Sequence, residues 1–504
     1  MAYPFSPQDI QQMEDHGLTP SLVQAQLEHF RTGFPRLQLE APATLGRGII
    51  RLAPAELHAL QQTYDASRKS RCKFVPASGA ATRLFKKLHA YLEQPGAEHP
   101  LGAPLASYPF APVVEAHLAR RGQQVVELEA KGDYAPIVRA LIGDDGLRLA
   151  AMPKALIPFH RLEDGSVRTP VEEHLVEGAL YARQADGTVS VHFTVSPQHE
   201  ADIRRHAQAV LPAYEQRHGV RYQLDFSQQA ASTDTIAARP DGSPYRDADG
   251  RLVFRPAGHG ALLQNLGAME SEMVFIKNID NVAPDHLKGD TVAYSRALGG
   301  LLLKTQREIF DLLDILDTKP APERVFDLLT HAVRELQLRP AARLTDAPAR
   351  ELGPERADYL RRMLNRPLRV CGMVRNQGEP GGGPFWVRHA SGEQSLQIVE
   401  TSQMDTTRPE VQRMLRQAEY FNPVEIVCGL RNRHGERFDL QRHVDPATGF
   451  IARKTIGHDE ILAQELPGLW NGAQADWISL FVEVPPSTFT PVKEIADLLR
   501  AEHR

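Results

Sequence analysis

KFVPASGAATRLFK, residues 73–86, is the stretch on which the reading of this chain turns. An apolar run breaks at Pro76 into small residues and resumes with helical spacing, so strand, tight loop and helix are expected in that order. Loops of this kind turn backbone N–H groups outward at a helix N-terminus, where the dipole favours an anion. Ser78, Gly79, Ala80 and Ala81 leave room for close approach, and Arg83, Lys86 and Lys87 add positive charge. Phosphate binding is the functional reading of these residues, and an ordinary strand-to-helix turn is the structural one.

Working outward, 504 residues are enough to bury a large core and to hold two or more domains. A formal net charge of −5 argues against a general nucleic-acid binder or a cationic membrane-surface protein. The opening MAYPFSPQDIQQMEDHG has no basic start followed by an apolar core. No later run approaches the ~18 apolar residues of a membrane span, and a soluble cytoplasmic protein is expected. Three scattered cysteines indicate neither a disulfide framework nor a cysteine metal site, and the 20 histidines form no HExxH pair.

Residues 1–70 are expected to be a helical lead-in, with Leu22, Val23, Leu27 and Phe30 at helical spacing. In LRLAAMPKALIPFHR, Lys154 lies in an apolar setting, where a lysine either snorkels out or finds an anion. Thr169, Pro170 and Glu172 form a capping box that starts the helix TPVEEHLVEGALYAR; Glu172 and Glu173 read there as partners of its dipole. TVSVHFTVS and VRYQLDF alternate as strands around a helical stretch at about 198–218, the rhythm of a βαβ unit. SEMVFIKNID is a further strand candidate ending near Asp280, and RPAGHGALLQNL offers a second glycine turn. Two long helices follow, at about 290–317 and 321–338. The fold class expected is α/β, a doubly wound and mostly parallel sheet over 71–338, where ligands gather beyond the carboxyl ends of the strands. A polar stretch at 339–366 separates it from an α+β part at 367–504, which contains the loop EPGGGPFW.

In this order the motifs resemble the sugar-nucleotide pyrophosphorylases, above all those that make UDP-glucose and UDP-N-acetylhexosamines. The whole chain is also similar to a bacterial family, domain of unknown function 4301, through the run KFVPASGAATR. The first resemblance implies a nucleotide-diphospho-sugar transferase fold of GT-A type. SGAATRL resembles the signature GGxGTRL, with Ser78 and Ala81 where that signature has glycine. The resemblance assigns the triphosphate to Ser78, Gly79, Ala80, Ala81, Thr82 and Arg83. PKAL is similar to the family's lysine motif and assigns a phosphate to Lys154. SQQ resembles the place of a glutamine that reads uracil, as Gln228 or Gln229. AGHGALL resembles GNGGLY, the loop around base and sugar, which gives Gly258 and puts His259 where asparagine stands. IDNV resembles the VDN motif and implies magnesium on Asp280. QIVETSQM is similar to VVEYSE and implies Glu400 near the sugar hydroxyls. LWNGAQADW and TFTPVKEI resemble the last two segments and imply Asn471 at the sugar and Lys493 at the phosphates.

The activity so implied is nucleotidyl transfer, in which UTP and a sugar 1-phosphate give a nucleotide-sugar and pyrophosphate. Arg83, Lys154 and Lys493 would be catalytic and magnesium the cofactor, with no nucleic-acid or membrane partner. Two other classes remain open: a non-catalytic sugar-nucleotide sensor or scaffold, and a glycosyltransferase on a related fold.

Overall fold

The strand expected at the head of the 73–86 stretch is present. In the computed structural model, which describes residues 3–94, 99–378 and 381–504, Arg71–Pro76 is a strand buried from its first residue to its fifth. It pairs in parallel with Thr188–Thr194, which pairs in parallel with Arg221–Ser227. The helix Pro197–His218 joins the last two. On the other side lies Met273–Ile276, after which Lys277 and Ile279 donate backbone hydrogen bonds to Phe74 and Pro76. Beyond the small residues the helix does not resume at once. A 3-10 turn, Ala81–Arg83, precedes the α-helix Lys86–Glu93.

The chain forms two compact units. The first comprises 1–67, 229–274 and 296–484, and the second 68–228, 275–295 and 485–504. Both are discontinuous, unlike the consecutive segments 1–70, 71–338 and 367–504 expected from the sequence, because sheet partners come from distant stretches.

In the second unit the helix Pro170–Tyr181 starts at the expected capping box, with Thr169 accepting from the Glu172 N–H. Val171, Leu175 and Val176 pack against Val189, Val191 and Phe193 of the sheet. The same helix also buries Glu172, Glu173, His174 and Glu177. Charges survive out of water only when paired, and these are. Glu177 lies between Lys73 at 2.5 Å and Lys277 at 2.9 Å, and Glu173 meets His160, Arg168 and Lys288. Glu173, read from the sequence as a helix-dipole partner, is thus the anion of a buried network.

The first unit is mixed. Gly48–Ile50, Ile478–Glu483 and Leu368–Arg375 pair in parallel, and Ile426–Gly429 adds to the last in antiparallel. A three-stranded antiparallel sheet joins Leu39–Pro42, Gly383–Arg388 and Gln394–Val399. A four-stranded one is built on Thr235–Ala238, Asp459–Glu465 and Phe450–Ile456. The lead-in therefore holds strands besides its helices. They are short, and the strands that tie Leu39–Pro42 and Gly48–Ile50 into larger sheets lie more than 300 residues away, which local periodicity cannot register. Within EPGGGPFW, Glu379 and Pro380 fall outside the described residues. Among the described residues no helix is long and apolar enough to cross a membrane.

Candidate functional site

Four segments of the second unit are tied in two pairs by hydrogen bonds that use the backbone. Ala81 N–H donates to Met152 and Lys154 N–H to Gly79, so the small-residue loop and the lysine motif run side by side. Val492 N–H donates to the Asp280 carbonyl at 3.1 Å. Asn281 accepts from Thr490 N–H at 2.9 Å and donates to Thr488 O at 3.3 Å. This clasp holds the IDN turn against the C-terminal lysine segment.

On that frame Lys154, Asp280 and Lys493 converge. Lys154 Nζ lies 2.8 Å from Asp280 Oδ2 and donates to Val492 O at 2.7 Å; Lys493 Nζ lies 3.1 Å from the same Oδ2. Asp280 is buried, and burial alone would push its carboxyl up. Lys154 and Lys493 outweigh that and hold it below the ordinary carboxylate range. Two ammonium groups against one carboxylate leave a net positive cluster. Lys154 is 13% exposed and Lys493 58%, so the second cation is open to solvent.

Beside this cluster the loop stays available. Ser78, Gly79 and Ala80 are exposed, and among the described residues their N–H groups have no protein acceptor. Ala81 is buried and its N–H is committed to Met152, so it is not an open donor. Thr82 turns its hydroxyl to Ala150 O. Arg83 is exposed at the end of the 3-10 turn, while Lys87 pairs with Glu494 at 2.7 Å. Gln228 donates to Glu200 at 2.6 Å.

The first unit gathers a second group of the expected residues. Gly258 opens the turn with a φ of 77°, and a Cβ there would sit 2.6 Å from Glu465 Oε2, so only glycine fits. His259 stacks on Trp470, ring centres 3.9 Å apart and planes 11° from parallel. Its Nδ1 accepts from Leu469 N–H at 2.9 Å, which fixes the tautomer and leaves the proton on Nε2. Burial lowers the imidazole to about 4, so the ring is neutral near pH 7. Asn471 Nδ2 donates to Glu400 Oε1 at 2.9 Å, and His259 Nε2 stands 3.9 Å from that oxygen. Burial raises the Glu400 carboxyl; Asn471 offsets part of this and Glu465 adds to it. Gln229, in this unit, donates to Asp234 at 3.3 Å.

Sequence reasoning missed Trp470, although it adjoins Asn471 in the quoted segment. It also missed the role of Lys73, whose signal was a lysine inside an apolar strand. Among the described residues no group of three His, Cys, Asp or Glu could hold a metal.

The two units make an α/β protein in which a positive cluster stands where a strand ends. The chain belongs to the family described as Domain of unknown function (DUF4301), whose model matches residues 6–504. No curated protein matches it. Among solved structures it is similar to the UDP-glucose pyrophosphorylase of Leishmania major, with 13% identity and a TM-score of 0.47 over 99% of this chain and 80% of that one. It is also similar to the uridine diphosphate N-acetylglucosamine pyrophosphorylase of Trypanosoma brucei in complex with inhibitor, with 13% identity and a TM-score of 0.46 over 91% and 72% of the two chains.

Proposed function

We propose that this protein is a nucleotidyltransferase that joins a nucleoside triphosphate, UTP by the sequence resemblance, to a sugar 1-phosphate and releases pyrophosphate. The observation that carries the reading is the meeting of Lys154 and Lys493 on Asp280. An oxygen of the sugar phosphate attacks the α-phosphorus in line, and the bond to the β-phosphate breaks as pyrophosphate leaves. The attacking phosphate is already ionised, so no general base is needed. What the chain supplies is position and positive charge: Lys154 and Lys493 beside the phosphoryl oxygens, and the N–H groups of Ser78, Gly79 and Ala80 as fixed donors. Arg83 adds an exposed cation at the same loop.

Asp280 is the residue that would hold magnesium. Among the described residues no protein donor reaches its Oδ1, and one carboxylate completed by phosphate oxygens is a donor set that magnesium accepts. Bound there, the ion would draw charge off the phosphoryl oxygens. The group formed by His259, Glu400, Asn471 and Trp470 offers an N–H donor, a carboxylate, an amide and an aromatic face. Such a set suits a ring bearing several hydroxyls.

The test is a panel of sugar 1-phosphates against the four common triphosphates, with magnesium, reading pyrophosphate release. Release with one pair well above the others is expected. Binding of a UDP-sugar with no release from any pair would replace this reading with the sensor, which the pairing of Asp280 by two lysines also allows.

A further inference from the structure

The first unit contains a cavity of about 640 Å³ lined by Arg47, Arg51, Arg334 and Arg339, with no aspartate or glutamate among its lining residues. Four arginines around one hollow are unusual in a chain whose net charge is −5. The acids nearby are all paired, two of them with arginines of this lining, Arg51 and Arg334, which leaves Arg47 and Arg339 as the uncompensated cations. Glu40 takes two bonds from Arg388. Glu483 is shared by Arg51, Arg375 and Tyr420, and Glu335 pairs with Arg334 outside the lining. Among the described residues neither Arg47 nor Arg339 makes an ion pair.

The walls are built. Arg339 lies over Trp386, its guanidinium carbon 3.7 Å from the ring centre, and donates to Gln394 Oε1 at 3.1 Å. Gln394 N–H in turn donates to the Arg339 carbonyl. Trp386 is buried and gives its Nε1–H to Arg47 O at 3.3 Å. The loop can press so close only because residue 48 is glycine. Its φ is 106°, and a Cβ would meet Ala43 at 2.8 Å and Trp386 Nε1 at 3.1 Å. Burial lowers the Arg339 pKa, and the facing Arg47 lowers it further, with Glu40 pulling the other way. Like charges are therefore held together at a cost that a bound anion would remove.

We propose that this cavity binds a small molecule carrying two or more phosphate charges, gripped by the guanidinium forks of Arg47 and Arg339 with Arg51 and Arg334 at the rim. Guanidinium forks match phosphate oxygens in pairs, and the volume lies in the range of small-molecule sites. Nothing in this inference depends on the nucleotidyltransferase reading, whose phosphate groups lie in the other unit.

The probe is inorganic pyrophosphate, titrated calorimetrically into the full chain. Arg47→Gln and Arg339→Gln are each expected to weaken one binding event by about tenfold or more, while Lys154→Ala leaves that event in place. Arg47 is exposed, so its variant keeps the test valid if loss of the Arg339 stack on Trp386 disturbs folding. An absence of binding, binding unmoved by Arg47→Gln, or binding abolished by Lys154→Ala would each overturn the proposal.

Discussion

The Lys154–Asp280–Lys493 cluster and the His259–Trp470–Glu400–Asn471 group handle charge in opposite ways. In the first, two ammonium groups hold a carboxylate ionised below its ordinary range. In the second, burial drives the imidazole to about 4 and so to its neutral form, while the carboxyl is pushed up. One is suited to spreading phosphate charge. The other, with an aromatic face and a fixed N–H donor, is suited to reading uncharged hydroxyls. Under the proposed function, turnover would rest on the first group and substrate choice on the second.

The largest effect is expected in the ionic cluster. Asp280→Asn and Lys154→Ala should each lower turnover by about 10²-fold or more, the scale of a lost transition-state donor, with melting temperatures near that of the wild type. Equal losses from His259→Asn would erase the distinction between the groups. Glu177→Ala should act on stability instead. It removes the carboxylate that both Lys73 and Lys277 bond in the core, and breaking a buried pair costs about 3–5 kcal/mol, to be measured by urea denaturation. A cost near zero would mean that the buried lysines find water.

Smaller effects sharpen the neutral side. His259→Asn removes the stack on Trp470, worth about 0.5–1.5 kcal/mol, so KM for the sugar 1-phosphate should move by up to about tenfold with kcat little changed. The smallest effect is a pH dependence. The folded-state carboxyl of Glu400 is raised, so its contribution to stability is present below the unfolded value and lost as pH rises through the folded one. Glu400→Gln should therefore gain in melting temperature over the wild type as pH rises above the ordinary carboxylate range. A gain that shrinks with rising pH would reverse the assignment.

How far the sequence could be read follows from the range of the forces involved. The strand at 71–76, the capping box at Thr169 and the strand, helix and strand between 188 and 227 are written in local periodicity, and they are present. Strands such as Leu39–Pro42 and Gly48–Ile50 depend on partners hundreds of residues away and left no local mark. Lys154 stood out because a lysine in an apolar run either snorkels out or finds an anion, and only the fold shows the second, with Asp280 as its partner. Asn471, expected at the sugar, donates to Glu400. The two glutamines proposed for uracil turn instead to acids beside them, Gln228 to Glu200 and Gln229 to Asp234. Buried pairing explains the rest: Glu173 read as a partner of its helix dipole, and Glu177 drew no reading, until the lysines and arginine that neutralise them are in view.

Isotope exchange of labelled pyrophosphate into UTP, run with a UDP-sugar and magnesium in wild-type and Lys154→Ala protein, addresses the central claim most directly. The account predicts exchange that needs the sugar nucleotide and falls at least about a hundredfold in the variant. Undiminished exchange in Lys154→Ala, or none in the wild type despite bound UDP-sugar, would contradict it.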